Sequence, residues 1–414
     1  MRAAFFTCAA LAVILPALGV PTNVPITKHA GSVKADSYIV KLKDGVSKES
    51  HLSAISSGFV AGSGVEYTYD NVFMATQSTS RAKISISCVR AKMSNIFLRT
   101  ASHLLNISSW KIYFLSGLAD MLKPQTSPGD EPAVAERSEP TVNRLNARAN
   151  GSGVVVYGID TGIYTAHSTF GGRASWGATF GGYANADGNG HGTRESRSRY
   201  ALFIVTDDVL KDTAGTAVGT TYGVATSARI VAIKVLSDAG SGAYSDIIAG
   251  VNWVVSNKGS SPAVATMSLG GSANSALDSA ISSAISQGVH FSIAAGNSNV
   301  DAANTSPARV AAANTVGAVD SSNRKASFSN YGSILDVWAL GVNVLSAWIG
   351  STTATNTISG TSMATPRVAG YLAVALGDYG SVTPASLSAS LKSHAAAVVT
   401  GAPSGTTNLL AQRW

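Results

Sequence analysis

Gly153-Val-Val-Val-Tyr-Gly-Ile159 is an apolar run that ends on Asp160-Thr-Gly162, a carboxylate followed by a glycine turn. A run that is apolar at successive positions, not at every second one, reads as a strand buried on both faces. Similar runs recur at 228–236, 263–269 and 289–295. Between them, Ser245–Lys258 carries apolar residues at helical spacing (Ile247, Ile248, Val251, Val254, Val255), and Ser275–Gln287 reads as a second helix. Continuous apolar strands separated by amphipathic helices predict an α/β fold. Its central sheet is mostly parallel and covered on both faces, a three-layer sandwich. In such sheets sites form at the carboxyl ends of the strands, where Asp160 stands.

The rest of the chain bounds the answer. Its 414 residues suffice for a large core, and with 45 % hydrophobic and 13 % charged residues it is no disordered polyelectrolyte. Of the net charge of +7, residues 1–150 carry +6 and residues 151–414 only +1, so the α/β part has no basic excess for nucleic acid. Cys8 and Cys88 make no disulfide framework, and thiol-based zinc or iron–sulfur sites are excluded beyond residue 150, where cysteine is absent. Residues 1–20 have one arginine, an apolar run broken by Pro16, then small residues, the pattern of a secretory signal peptide. No later stretch suits a membrane span. Residues 36–76 read as a small unit with strands at Ser37–Lys43 and Val65–Tyr69 and a helix at His51–Ser57. Residues 81–119 have six Lys or Arg and no acid, and 123–150 resemble a linker.

Three further motifs carry chemistry. Gly188-Asn-Gly-His191-Gly-Thr193 sets an imidazole among small residues that let other groups approach. Ile358-Ser-Gly-Thr-Ser362-Met-Ala-Thr-Pro366 opens an apolar helix. There Thr361 or Ser362 is either an ordinary N-cap or a nucleophile in the field of a helix N-terminus. Pro366 is expected to fit the helix's first turn, where no N–H is needed. Ile293-Ala-Ala-Gly-Asn297 places an amide after a strand, able to donate to an oxyanion. A serine hydroxyl needs an imidazole base, and the imidazole needs a carboxylate to orient it. The order Asp160, His191, Ser362 is that of subtilisin and differs from those of chymotrypsin and the α/β-hydrolases. The serine also lacks a G-x-S-x-G elbow, against an esterase or lipase.

On these residues the chain resembles the subtilisin-like serine endopeptidases, within them the proteinase K group and the fungal alkaline proteases of the oryzin type. The resemblance rests on Asp160-Thr-Gly-Ile163, Gly190-His-Gly-Thr193, Met267-Ser-Leu-Gly-Gly271, Ala294-Ala-Gly-Asn297, Ala326-Ser-Phe-Ser-Asn-Tyr-Gly332, Ser346-Ala-Trp-Ile-Gly350 and Gly360–Pro366. It covers 150–193 and 214–414, and Tyr38–Gly45 resembles the start of the family's inhibitory propeptide. It implies that Ser362 is the nucleophile, His191 the base, Asp160 its orienter, and that Asn297 and the Ser362 backbone N–H hold the oxyanion. It implies that Ser268, Leu269 and Gly270 pair with the substrate backbone, and that Ala294, Ala295 and Gly296 line the pocket before the cut, with broad specificity. It implies no required cofactor. Asp336 matches a calcium ligand that works with carbonyls near Ala311 and Ala313. The expected domains are a signal peptide (1–20), an α+β propeptide (21–120) and a catalytic domain (121–414). The expected partners are protein or peptide substrates and the chain's own propeptide, with no nucleic acid, no membrane and a monomeric state.

The chain also departs from the family. The family reads His-Gly-Thr-His-x-Ala-Gly-Thr, whereas here residues 194–213 replace two residues, including the second His, before Ala214-Gly-Thr216 resumes. The expectation is an interrupted helix behind His191, and the abrupt edges suit an intron retained in the reading frame. Leu340 stands where the family has Pro, and Arg367 where it has His. A second reading follows from the insertion: a subtilisin-like protein that binds peptide without turnover.

Overall fold

The structure, a computed structural model, describes residues 26–28, 37–42, 47–56, 64–70, 75–79, 97–100, 150–189 and 210–414. The leader, both cysteines, most of 81–119, the linker, His191 and 194–209 lie outside the described residues. Residues 1–101 and 149–414 make one compact unit, and the other, 102–148, lies outside the description.

The N-terminal part contributes β1 (Ile26–Lys28), β2 (Ser37–Lys41), α1 (Lys48–Ser56), β3 (Gly64–Tyr69), β4 (Ala75–Thr79) and β5 (Phe97–Thr100). They form a five-stranded sheet in the order β1-β5-β2-β4-β3. From residue 150 the chain runs β6 (Val155–Asp160), β7 (Ala174–Thr179), α2 (Leu210–Val218), β8 (Arg229–Lys234), α3 (Tyr244–Asn257), β9 (Ala263–Met267), β10 (Gly271–Ser272), α4 (Ser275–Ser286), β11 (Val289–Ala294) and β12 (Thr305–Ser306). It ends with β13 (Asn314–Val319), β14 (Val337–Leu340), β15 (Val344–Ala347), β16 (Thr355–Ile358), α5 (Thr361–Tyr379), α6 (Pro384–Ser393), β17 (Ala396–Ala397) and β18 (Leu409–Leu410).

The central sheet has nine strands in the order β17-β18-β14-β13-β11-β9-β6-β8-β7. Every pairing is parallel except β17 with β18. The strands and helices expected in this sheet and on its faces are present within a residue or two of their expected ends, whereas α1 begins three residues before the expected His51. Strands β6, β9, β11 and β13 are buried along their whole length, as continuous apolar runs require. One core lies between the sheet and α3 and α4, around Ile159, Ile233, Ile247, Leu277 and Phe291. The other lies under α2, α5 and α6, around Val156, Ile230, Val316, Val368 and Leu391. Local signals set the helix starts: Asn274 Oδ1 accepts the Leu277 N–H before α4, and Thr383 caps α6 with Pro384 next.

The helix expected to be interrupted is present as α2, and residues 210–213 of the insertion form its first turn. Residues 192–209 stand between His191 and this helix in the sequence. The N-terminal sheet meets the rest of its unit through β3 and α3. Tyr69 donates its hydroxyl proton to Ser245 O at 3.2 Å, and Tyr67 Oη accepts the Gly181 N–H at 3.0 Å. Among the described residues no helix is long and apolar enough to cross a membrane.

Candidate active site

Four neighbouring strands, β11, β9, β6 and β8, open at the same rim of the sheet. Their ends deliver Ala294–Asn297, Ser268–Gly270, Asp160 and Lys234 there. Asp160 is fully buried. Its Oδ1 accepts the Thr161 N–H at 2.9 Å, and its Oδ2 is buried with no hydrogen-bond partner among the described residues. Burial pushes its pKa well above the ordinary carboxylate value, the Thr161 N–H opposes this, Asp187 adds to it and Lys234 opposes it. His191 lies outside the described residues, three positions beyond Gly188.

Ser362 sits in the first turn of α5, 3 % exposed. The N-cap is Gly360, with no side-chain cap, so the capping alternative for Thr361 and Ser362 falls. The Thr361 hydroxyl works elsewhere. It accepts the Gly296 N–H at 3.2 Å and donates to Asn297 Oδ1 at 2.8 Å, and the Thr361 N–H also donates to Oδ1 at 2.8 Å. Two donors on Oδ1 fix which way the amide faces, with Nδ2 turned to the start of α5. A Cβ built on Gly360 would stand 3.5 Å from Nδ2.

Pro366 falls in the second turn of α5, not the first as expected, because the helix begins at Thr361. Its missing N–H leaves the Ser362 carbonyl without its helical donor. Ser268 supplies one, its Oγ donating to Ser362 O at 3.0 Å, while Ser362 Oγ reaches Ser268 O at 3.5 Å. The first turn of α5 is thus bolted to the end of β9, where Ser268, Leu269 and Gly270 leave the sheet.

The loop after β11 is braced by Asn330, which sequence reasoning quoted only within a motif. Its Nδ2 donates to Ala295 O at 2.8 Å, its N–H donates to Gly296 O at 2.9 Å, and its Oδ1 accepts the Ser298 and Val300 N–H groups at 3.0 Å. Gly296 has φ +104°, and a Cβ there would lie 2.4 Å from Asn330 Nδ2, so only glycine fits. Leu340 is accommodated as a half-buried residue against the α3/α4 core. Arg367, half-buried on α5, has its Nε buried with no hydrogen-bond partner among the described residues.

Asp336 lies apart from this rim. Its Oδ2 accepts the Thr315 N–H at 2.9 Å and its Oδ1 accepts Lys392 Nζ at 3.1 Å. Burial raises its pKa, and these two donors oppose the rise. A calcium ion takes about six to eight oxygens. Here the one carboxylate has donors on both oxygens, one of them an ammonium. These groups as arranged do not fit the expected calcium ion.

Comparisons with known proteins show the family of this fold. Residues 151–411 match Peptidase S8, the subtilase family. Over 262 residues the chain is 50 % identical to "Subtilisin-like protease 2" of Pseudogymnoascus destructans, covering 63 % of this chain and 61 % of that one. It thus spans a little under two thirds of that relative. Over 416 residues it is 35 % identical to the "Cuticle-degrading protease" of Metarhizium anisopliae, covering 97 % of this chain and 98 % of that one. The crystal structure of a cold adapted subtilisin-like serine proteinase superposes with a TM-score of 0.58 at 44 % identity, over 67 % of this chain and 95 % of that one. With a family match across the whole α/β unit and a relative aligned almost end to end, the chain belongs to the subtilase family.

Proposed function

We propose that this protein is a secreted serine endopeptidase that hydrolyses peptide bonds with broad specificity through an acyl-enzyme. One observation carries the reading: Ser362 on the first turn of α5, with the Asn297 amide locked by Thr361 so that Nδ2 faces the same turn. Ser362 Oγ attacks the scissile carbonyl and its proton passes to His191, which Asp160 orients. The carbonyl oxygen becomes an oxyanion held by Asn297 Nδ2 and the Ser362 backbone N–H. His191 then protonates the leaving amine, and water, deprotonated by His191, releases the acyl group. Ser268–Gly270 pairs with extended substrate as an added strand, and Ala294–Gly296 walls the pocket before the cut. The small residues of that wall admit large apolar side chains.

The apolar leader supports export, as does the relative named for cuticle degradation. The N-terminal sheet, resting on α3 through Tyr67 and Tyr69, acts as an intramolecular inhibitor until cleaved. A serine-directed phosphonate tests the reading. Wild type should be labelled, and Ser362→Ala and His191→Ala should not. A folded wild type that takes no label and leaves casein intact would refute the protease reading and leave peptide binding without turnover.

A further inference from the structure

Lys234 ends β8 inside the apolar run Ala228–Leu236, and its side chain is 0 % exposed. An ammonium taken wholly out of water needs partners for its protons. Its Nζ donates to the Thr161 carbonyl, the residue after Asp160, and to Asp238 Oδ1 at 2.7 Å. It also lies 5.6 Å from the centre of the Tyr183 ring. Asp238 Oδ1 in turn accepts the Gly188 N–H at 3.2 Å. Gly188 sits so close that a Cβ there would lie 2.3 Å from Asp238 Oδ2. The loop carrying Asp160 is fastened to the same strand end, since its carbonyl accepts the Val235 and Leu236 N–H groups at 2.7 and 3.1 Å. A further link joins the two loops directly: Thr161 Oγ1 donates to Asp187 Oδ1 at 3.2 Å.

We infer that Lys234 and Asp238 are positioning residues, a buried post and its tether that hold the Asp160 turn and the segment leading to His191 in fixed register. The inference rests on the protease reading above for its effect on turnover. Neither side chain touches substrate. Lys234 fixes the Asp160 turn through Thr161, and Asp238 fixes the approach to His191 through Gly188.

Asp238 is the residue to change, because its side chain is 51 % exposed; its loss takes the carboxylate from Lys234, so each variant is first compared with wild type by urea unfolding and assayed where it is folded. Asp238→Ala is expected to lower kcat by about 10- to 100-fold, the order expected for a catalytic group misplaced by about 1 Å, with KM within about twofold. Asp238→Asn keeps an acceptor oxygen for both Lys234 and Gly188 and should recover most of the rate. Independently of turnover, hydrogen exchange at the Gly188 amide should quicken in Asp238→Ala and not in Asp238→Asn. Unchanged kcat in Asp238→Ala, or a rise in KM alone, would overturn the positioning role while leaving the protease reading intact. If wild type takes no phosphonate label, the protease reading fails, and the tether is judged by Gly188 exchange: unchanged exchange in Asp238→Ala overturns it. Lys234→Met should reproduce the loss in kcat where it folds.

Discussion

Acid should weaken this protein through one imidazole far from its chemistry. His290 lies on β11, 3 % exposed, with Nδ1 buried and without a hydrogen-bond partner among the described residues. Burial lowers its pKa from 6.5 to about 4, opposed in part by a backbone contact at Val382. The folded state therefore binds this proton less readily than the unfolded chain, and stability rises with pH across the window from about 4 to 6.5. Going down, the loss begins near 6.5 and is complete near 4, where the native imidazole also charges. At about 1.4 kcal/mol per pH unit the gap amounts to about 3 kcal/mol. That is a large fraction of an ordinary domain's stability. The assay is urea unfolding at pH 4 to 7.5 of Ser362→Ala, which cannot digest itself, against the same protein carrying His290→Gln. Other titrating groups are common to both and cancel. The difference between the two should be flat above pH 7 and shift by about 3 kcal/mol toward the variant by pH 4. A difference that stays constant across this range would refute the reasoning.

Three further outcomes follow from the rim and its surroundings. Asn297→Ala should cost about 100- to 1,000-fold in kcat with KM little changed, and Thr361→Val, which removes one of the two donors that hold Asn297 Oδ1, should cost about 10-fold; steady-state hydrolysis of a peptide amide checks both. Deleting residues 194–211 leaves Asp212-Thr213 between Thr193 and Ala214, the family's spacing, and puts His191 directly before α2, so kcat/KM should rise by about 100-fold over the full chain; no gain in a folded deletion would show that the helix is not what His191 lacks. A calcium chelator should leave the unfolding midpoint of wild type unchanged, whereas Lys392→Met should destabilise by about 0.5 kcal/mol, the worth of a half-exposed ion pair; a marked fall with chelator alone would restore calcium to Asp336.

The sheet was legible because burial on both faces leaves a plain mark: continuous apolar runs at 153–159, 263–269 and 289–295. The N-terminal sheet was less so. Ala75-Thr-Gln-Ser-Thr79 is short and polar, and its strand character comes from pairing with β2 and β3, not from its own pattern. At the site, residue types named Asp160, Asn297 and Ser362, but the supporting bonds are long-range and leave no local trace. Thr361 looks like a cap and is a brace for Asn297; Pro366 looks like a first-turn residue and is the reason Ser268 can hold Ser362. Lys234 did leave a signal: a lysine inside Ala-Arg-Ile-Val-Ala-Ile-Lys-Val-Leu must be buried in such a sheet, so it must have an anionic partner.

The cost of an unsatisfied buried group applies at the rim itself. A buried carboxylate oxygen without a donor is costly by about 1–3 kcal/mol or more, and Asp160 Oδ2 is such an oxygen among the described residues. The raised pKa of Asp160 expresses the same cost from the proton's side. A donor brought to Oδ2 removes it, and a cationic donor removes most. Asp187 and Gly188 already fasten the upstream chain to the Asp160 turn and to Asp238. His191 follows Gly188 by three positions in the sequence, and the proposed protease reading assigns its imidazole as the donor to Oδ2. On the proposed protease reading Asp160 Oδ2 is the atom that calls for the His191 proton, and residues 192–209 separate that histidine from α2 in the sequence, which is why deletion of 194–211 is expected to raise turnover.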